Sequence, residues 1–243
     1  MKTKVVFLQC MILSIVVFGQ IEGQKTLPET EVIPPKFPAV ETTWNWKKIQ
    51  SIDDYLRANI EYPEKALNEG YYGTEVVQFV VTPAGELADF KVINSVCREI
   101  DEEVIGVLKS TNGSWKPASV NTEPVPMVKE VSVVFKLKGT YDFVSMAKRF
   151  LNSGNKKFFL KKNPKKALKY YNRGIALLPN QYTLLVARGM CRFELGNEEG
   201  AIRDWNRIKT LSDSDNNHLE TIYLADDFRK FKGYSEMLKL TQK

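Results

Sequence analysis

Side chains able to carry out catalysis are sparse in this chain. His218 is the only histidine, so a catalytic triad or a metal site with several histidine ligands has little to draw on. The carboxylate pairs Asp53–Asp54 and Asp226–Asp227 are adjacent in sequence, and neighbouring residues on a helix point in different directions. The sequence contains no glycine-rich phosphate loop and no nucleophile-elbow motif. We therefore expect a protein that is not an enzyme and needs neither a metal nor a cofactor.

A lysine-rich segment indicates electrostatic binding instead. Between residues 156 and 173 the chain has eight basic side chains and no acidic one. They are Lys156, Lys157, Lys161, Lys162, Lys165, Lys166, Lys169 and Arg173. Such a segment is either a solvated helix face or a surface for an acidic peptide, for lipid headgroups or for an acidic part of the same chain.

The amino terminus has the pattern of a secretory signal. Two lysines lie within Met1–Lys4, and the apolar run Val5–Gly19 follows them. The run contains Gln9 and is shorter than the roughly 20 apolar residues of a membrane-spanning helix. We expect residues 1–19 to be a signal peptide cleaved before Gln20. The alternative is an uncleaved anchor in the inner membrane. Nucleic acid is not expected as a partner of an exported protein.

Net charge divides the rest of the chain. Residues 20–137 have 12 Lys+Arg and 18 Asp+Glu, whereas residues 138–243 have 21 and 11. A change of sign at one point suggests two modules. We expect a proline-containing linker over residues 20–40, a first domain over 41–138 and a second over 139–243. Cys97 and Cys191 then lie in different domains, where we expect unbridged thiols.

Residue patterns in the first domain predict an α+β fold with a small antiparallel sheet. The predicted elements are a helix capped by Ser51, a helix after Tyr62-Pro63, strands Thr74–Thr82 and Leu87–Val96, a helix over residues 100–110 and a strand Glu130–Leu137. We expect Gly70 to end the second helix, Gly73 to allow a tight turn into the strand, and Gly85 to take positive φ in the hairpin turn.

An ordered set of residues between Phe37 and Leu137 resembles a known family. The set is Phe37-Pro38, Tyr62-Pro63, Ala66, Gly70, Gly73, Val77, Phe79, Val81, Gly85, Ser95, Asp101, Trp115-x-Pro117, Asn121, Pro124-Val125 and Phe135. It resembles the C-terminal domain of the TonB energy-transducer family, in the form common among Bacteroidota. The resemblance implies a domain, with a ββαβ core, that binds a short extended peptide of an outer-membrane receptor or another envelope protein.

The resemblance also implies where that peptide would bind. A peptide could add as a further strand beside an exposed sheet edge, using backbone hydrogen bonds for affinity. We expect the third strand to be this edge. The predicted site residues are Val128, Glu130, Val131, Ser132, Val133, Val134, Phe135 and Lys136. The alternative is an edge that is self-paired or capped.

The second domain is predicted to be all-α and repetitive. Ala167 and Ala201 are 34 residues apart, and so are Tyr171 and Trp205. This period resembles the tetratricopeptide repeat (TPR), whose arrays bind proteins. The predicted helix-packing residues are Ala167, Tyr171, Pro179, Gly189, Ala201 and Trp205. Aligned by this period, Asn155 takes the place of Gly189 in the first repeat.

Together these patterns predict a periplasmic adaptor. One domain recognises an extended peptide or partner strand, and the repeats bind a second protein. Two alternatives remain. The protein could be a membrane-anchored variant of a TonB-type energy transducer, although a spacer of about 20 residues reaches only ~60 Å. Alternatively, the first domain is structural and only the repeats recognise a partner.

Overall fold

The computed structural model describes residues 31–38, 40–41, 48–140, 142–212 and 228–241. An α+β part precedes a helical part, as predicted. The first part contains β1 Val32–Ile33, β2 Val40–Glu41, β3 Lys48–Ile49, α1 Ile52–Asn59, α2 Glu64–Asn68, β4 Gly73–Val81, β5 Leu87–Asn94, α3 Arg98–Lys109, β6 Ala118–Val120, β7 Glu123–Val125 and β8 Met127–Phe135. The second contains α4 Phe143–Asn155, a π-helical turn Lys156–Leu160, α5 Pro164–Leu177, α6 Tyr182–Glu194, α7 Glu198–Ser212 and α8 Lys232–Thr241.

The main sheet has the strand order β5-β4-β8, with antiparallel pairing on both sides of β4. Alternate residues of β4, among them Val77 and Phe79, are fully buried in a core formed with α1 and α3. The buried side chains of α1 are Ile52 and Leu56, and those of α3 are Ile100, Val104 and Leu108. Burial of these apolar side chains holds the helices on one face of the sheet and leaves its other face to the helical part.

Local signals in the sequence place the turns and caps of this part correctly. The Ser51 hydroxyl accepts a hydrogen bond from the Asp54 backbone N–H, which caps α1. Gly70 has φ +74° after α2, and Gly85 has φ +77° in the β4–β5 turn. A Cβ at Gly85 would lie 2.3 Å from the Trp115 carbonyl oxygen, so both the backbone angle and the space require glycine there.

Gly73 has a different role from the one predicted. Its φ is not positive, so it is not needed for a left-handed turn. A Cβ on Gly73 would lie 2.7 Å from the carbonyl oxygen of Ala176 in α5. Glycine at this position therefore lets the end of α5 approach the start of β4.

Part of the segment predicted as a linker is integrated into the fold. β1 pairs with β6, and β6 pairs with β7, in a second antiparallel sheet. Phe37 is only 5% exposed, and its ring lies 5.4 Å from both Tyr55 and Trp115. Residues 31–38 of the predicted proline-containing linker (residues 20–40) are therefore packed against the first domain. Burial of Phe37 and pairing with β6 fix this stretch against the domain.

The helical part repeats one close contact. A Cβ at Gly154 in α4 would lie 2.3 Å from the Tyr171 ring in α5, and a Cβ at Gly189 in α6 would lie 2.2 Å from the Trp205 indole in α7. Glycine thus lets an aromatic side chain of the next helix lie on the backbone of the preceding one. The predicted packing residues are all buried: Ala167, Tyr171, Pro179, Gly189, Ala201 and Trp205.

This geometry corrects one detail of the repeat alignment. The counterpart of Gly189 is Gly154, not Asn155. The reason is the π-helical turn after α4, in which the Lys161 N–H donates to the Lys156 carbonyl five residues earlier. A π-helical turn adds one residue to a helix, so the glycine-to-aromatic spacing is one residue longer in the first pair of helices than in the second. Asn155 instead accepts a hydrogen bond from the Tyr171 hydroxyl at 3.0 Å.

Specific polar contacts join the two parts. The buried Thr74 hydroxyl of β4 donates to the Leu177 carbonyl at the end of α5, at 2.6 Å. Glu130 of β8 accepts two hydrogen bonds from Arg207 of α7, at 2.5 and 2.6 Å. The outer face of the sheet thus packs against α5 and α7.

Candidate functional site: the β8 edge

The strand β8 forms one edge of the main sheet. Among the described residues, no strand pairs with the side of β8 that faces away from β4. Its pairing with β4 is regular over nine residue pairs. The opposite edge strand, β5, has register shifts in its pairing and a positive φ at Asp89. Irregular strands make poor templates for a further strand, so β8 is the better template of the two.

One hydrogen bond determines which backbone groups of β8 face outwards. The side-chain amide of Asn94 in β5 donates to the Thr74 carbonyl oxygen at 2.7 Å, so that carbonyl faces β5. Backbone groups alternate in direction along a strand, and Glu75 therefore faces β8, where its partner is Val133. The outward-facing backbone groups are those of the alternate set, Val128, Glu130, Ser132 and Val134.

The predicted site residues divide into two sets. Val131 and Phe135 are buried at 3% and 4% exposure, and Val133 packs against the same core. Val128 and Val134 are more than half exposed, and Ser132 is exposed. Lys136 follows the strand and lies over the Phe143 ring at 5.2 Å. The edge available to a partner thus centres on Ser132 and Val134, and the buried residues position it.

A groove runs beside this part of β8. It has a volume of about 550 Å³ and lies between the end of α1 and the second half of the strand. Its lining residues are Leu56, Arg57, Ile60, Tyr62, Val133, Val134, Phe135 and Lys136. The α1 residues of this lining were not predicted, although the apolar i, i+4 pair Leu56 and Ile60 was visible in the sequence. A strand added here would contact mainly apolar side chains, with the cationic side chains of Arg57 and Lys136 beside them.

Glu130 is not available as a free edge residue. Its carboxylate is held by Arg207, whose guanidinium also donates to the Asn180 side chain at 2.7 Å. The side chains of Glu130 and Arg207 are 23% and 13% exposed. This ion pair supports the outer face of β8 at its centre. The prediction that Glu130 belongs to the peptide-binding residues therefore applies only to its backbone.

The lysine-rich segment lies away from this edge. Its residues are distributed over the π-helical turn, the loop that follows and α5, and most are exposed. The Arg173 guanidinium stacks on the Phe150 ring at 4.3 Å. None of the eight forms an ion pair within the described part of the chain. The polar bonds between the two parts use other residues, so docking on the first domain does not account for this segment.

A buried carboxyl lies under the start of the sheet. Glu75 is fully buried, and its Oε2 accepts a hydrogen bond from the Val96 N–H at 2.9 Å. Burial, reinforced by the nearby Asp101 charge, raises the pKa of Glu75 to about 8. Asp101, in the first turn of α3, accepts from the Ser95 hydroxyl at 2.8 Å. Neither carboxyl lines the groove beside α1.

Several predicted features fall elsewhere. Cys97 and Cys191 are free thiols, as expected, and burial raises the pKa of both. The signal-like residues 1–19, His218 and Asp226–Asp227 lie outside the described residues. Within the residues that are described, no helix has the length and apolarity needed to cross a membrane, and no group of three or more His, Cys, Asp or Glu side chains could hold a metal ion.

Comparison with known proteins gives one family match, and it lies within the α+β part. No curated protein matches the chain. Residues 58–137 match the model of the family described as Gram-negative bacterial TonB protein C-terminal. The matched segment begins near the end of α1 and ends just after β8, so it contains the main sheet and its edge. This match supports the assignment of the α+β part of the chain as a TonB C-terminal domain.

Proposed function

We propose that this protein is a non-enzymatic adaptor of the periplasm that binds other envelope proteins. Its TonB-like domain takes up an extended segment of a partner as a new strand beside β8. Its helical part, which we interpret as TPR-like, binds a second protein. The family match supports a protein-interaction role in the cell envelope, and the open edge of β8 with the adjoining groove supports the mode of binding.

The observation that carries this proposal is the alternation along β8. Ser132 and Val134 combine outward-facing backbone groups with exposed side chains. A partner strand could pair with those groups without breaking any bond between β8 and β4. Its side chains would alternate between the groove beside α1 and the exposed outer surface, which is how an added strand acquires specificity.

Photocrosslinking in the native cell envelope tests this proposal. A photoreactive amino acid replaces Val134, which is 52% exposed, and the matched control places it at Val144 of α4, which is 60% exposed. We expect a discrete crosslinked partner at position 134 that differs from any product at position 144. The same products at both positions would contradict binding at β8.

A backbone substitution then tests the mode of binding. Ser132→Pro removes an outward-facing N–H, and proline is tolerated at such edge positions. We expect it to abolish most of the crosslinking at position 134, whereas Ser132→Ala, which keeps the N–H, retains it. Circular dichroism and thermal unfolding establish that both variants fold. Equal crosslinking by folded Ser132→Pro would show that the partner binds without strand addition.

A further inference from the structure

A second cavity lies between the outer face of the main sheet and the helices α6 and α7. It has a volume of about 560 Å³ and is separate from the groove beside α1. Four arginines line it on the helical side: Arg188, Arg192, Arg203 and Arg207. The sheet contributes Lys91 and amide side chains that include Gln78 and Asn94.

A buried carboxylate organises two of these arginines. Arg188 and Arg192 are four residues apart on α6 and therefore lie on the same helix face. Asp204 of α7 is 3% exposed and accepts from Arg188 Nε at 3.2 Å, from Arg188 Nη2 at 2.7 Å and from Arg192 Nη1 at 2.8 Å. The arrangement holds both guanidinium groups in fixed orientations at the wall of the cavity.

Arg188 and Arg192 have further N–H groups that do not take part in the bonds to Asp204. Nη1 of Arg188 and both Nε and Nη2 of Arg192 have no acceptor within the described part of the protein. An arginine has five N–H donors in a planar fork that matches a carboxylate. A bound carboxylate could therefore be engaged without breaking the bonds to Asp204.

Positive charge at the cavity is only partly compensated. Five cationic side chains line it, and Asp204 is the only acidic residue among its described lining residues. Glu130 neutralises Arg207 from beside the cavity, and Arg203 is 68% exposed and only 3.8 Å from Glu199. Burial, with the nearby Arg188 charge, lowers the pKa of Arg192. An anion bound in the cavity would offset this excess of positive charge.

We propose that this cavity binds a carboxylate of a peptide, either an acidic side chain or a free C-terminus, with Arg188 and Arg192 as its principal ligands. The amide groups of Gln78 and Asn94 and the apolar side chains of Ile175 and Leu185 also line the cavity. This mixture suits a peptide segment better than a free inorganic anion. The site is distinct from the β8 edge and does not depend on strand addition.

Titration calorimetry on the purified protein at low salt tests this proposal. One probe is an acetylated and amidated hexapeptide with two glutamates. The second is an acetylated hexapeptide without acidic side chains but with a free C-terminus, and the third is inorganic phosphate. We expect saturable binding of at least one peptide, and the peptide that binds identifies the source of the carboxylate. The proposal is overturned if neither peptide binds saturably, or if phosphate binds as tightly as the peptide that does bind.

Substitutions locate the binding site. Arg192→Gln should lower the affinity for the peptide by about tenfold or more, because a hydrogen bond to a charged group is lost. Arg149→Gln removes the same charge from an exposed residue of α4 and should change the affinity less than about twofold. If Arg192→Gln fails to fold, Arg203→Gln at the exposed rim replaces it, with an expected loss of about threefold. Equal effects at a cavity residue and at position 149 overturn the proposal.

Discussion

Replacing the buried Glu75 should change how the stability of the α+β part depends on pH. An unfolded chain releases the Glu75 proton near the ordinary pKa of 4.5, whereas the folded protein keeps it until about pH 8. Between these values the folded state binds more protons, so the free energy of unfolding falls as pH rises. Since one pKa unit corresponds to about 1.4 kcal/mol, this decrease is at most about 5 kcal/mol.

The variant Glu75→Gln removes this dependence with little change in shape. The amide oxygen of glutamine can still accept the Val96 N–H, and its NH₂ group can donate towards Asp101. At pH 5 we expect the variant and the wild type to differ little. Above pH 8 the variant should be more stable by about 2–4 kcal/mol, because it has no charge to bury.

Thermal unfolding at pH 5, 7 and 8.5 measures this effect. The helical part is the same in both proteins, so the difference between them isolates the contribution of Glu75. We expect the variant to gain several degrees in Tm at the highest pH relative to the lowest. The exposed Glu86→Gln is the control and should show no such trend. Parallel pH curves for wild type and Glu75→Gln would refute the reasoning.

Further predictions concern the helix contacts and the joint between the two parts. Gly189→Ala should cost about 1–3 kcal/mol in urea unfolding, because a Cβ would overlap the Trp205 indole. Gly106→Ala, an exposed position of α3 where a Cβ meets nothing within 4 Å, should instead stabilise by about 0.5–1 kcal/mol; equal effects would contradict the packing described. Arg207→Ala should cost about 2 kcal/mol, and a double-mutant cycle with Glu130→Gln should give a coupling of similar size. A coupling near zero would show that the two parts are not joined by this ion pair.

Features determined by neighbouring residues could be predicted from the sequence. The Ser51 cap depends on Asp54 three residues later, and the positive φ of Gly70 and Gly85 follows from short turns. The two hairpin strands and the third strand were also placed to within a few residues, because their apolar and β-branched runs are bounded by turn residues.

Features determined by distant residues could not be predicted. Val32 pairs with Val120, and Glu130 bonds to Arg207 across 77 residues, and nothing near either residue specifies its partner. The π-helical turn has no clear local signature in the sequence. The repeat alignment therefore missed the extra residue and paired Gly189 with Asn155 instead of Gly154. At the site, the strand could be predicted, but the direction of its backbone groups and the groove beside α1 depend on register and packing.

Hydrogen exchange at individual amides of β8 tests the central claim most directly. The protein is compared alone and with the peptide recovered by crosslinking at position 134. Because addition of a strand bonds alternate residues, we predict new protection at the outward-facing amides of Ser132 and Val134. The amides of Val131 and Val133, already bonded to β4, should change little. Partner binding that leaves the Ser132 and Val134 amides unprotected would contradict the account.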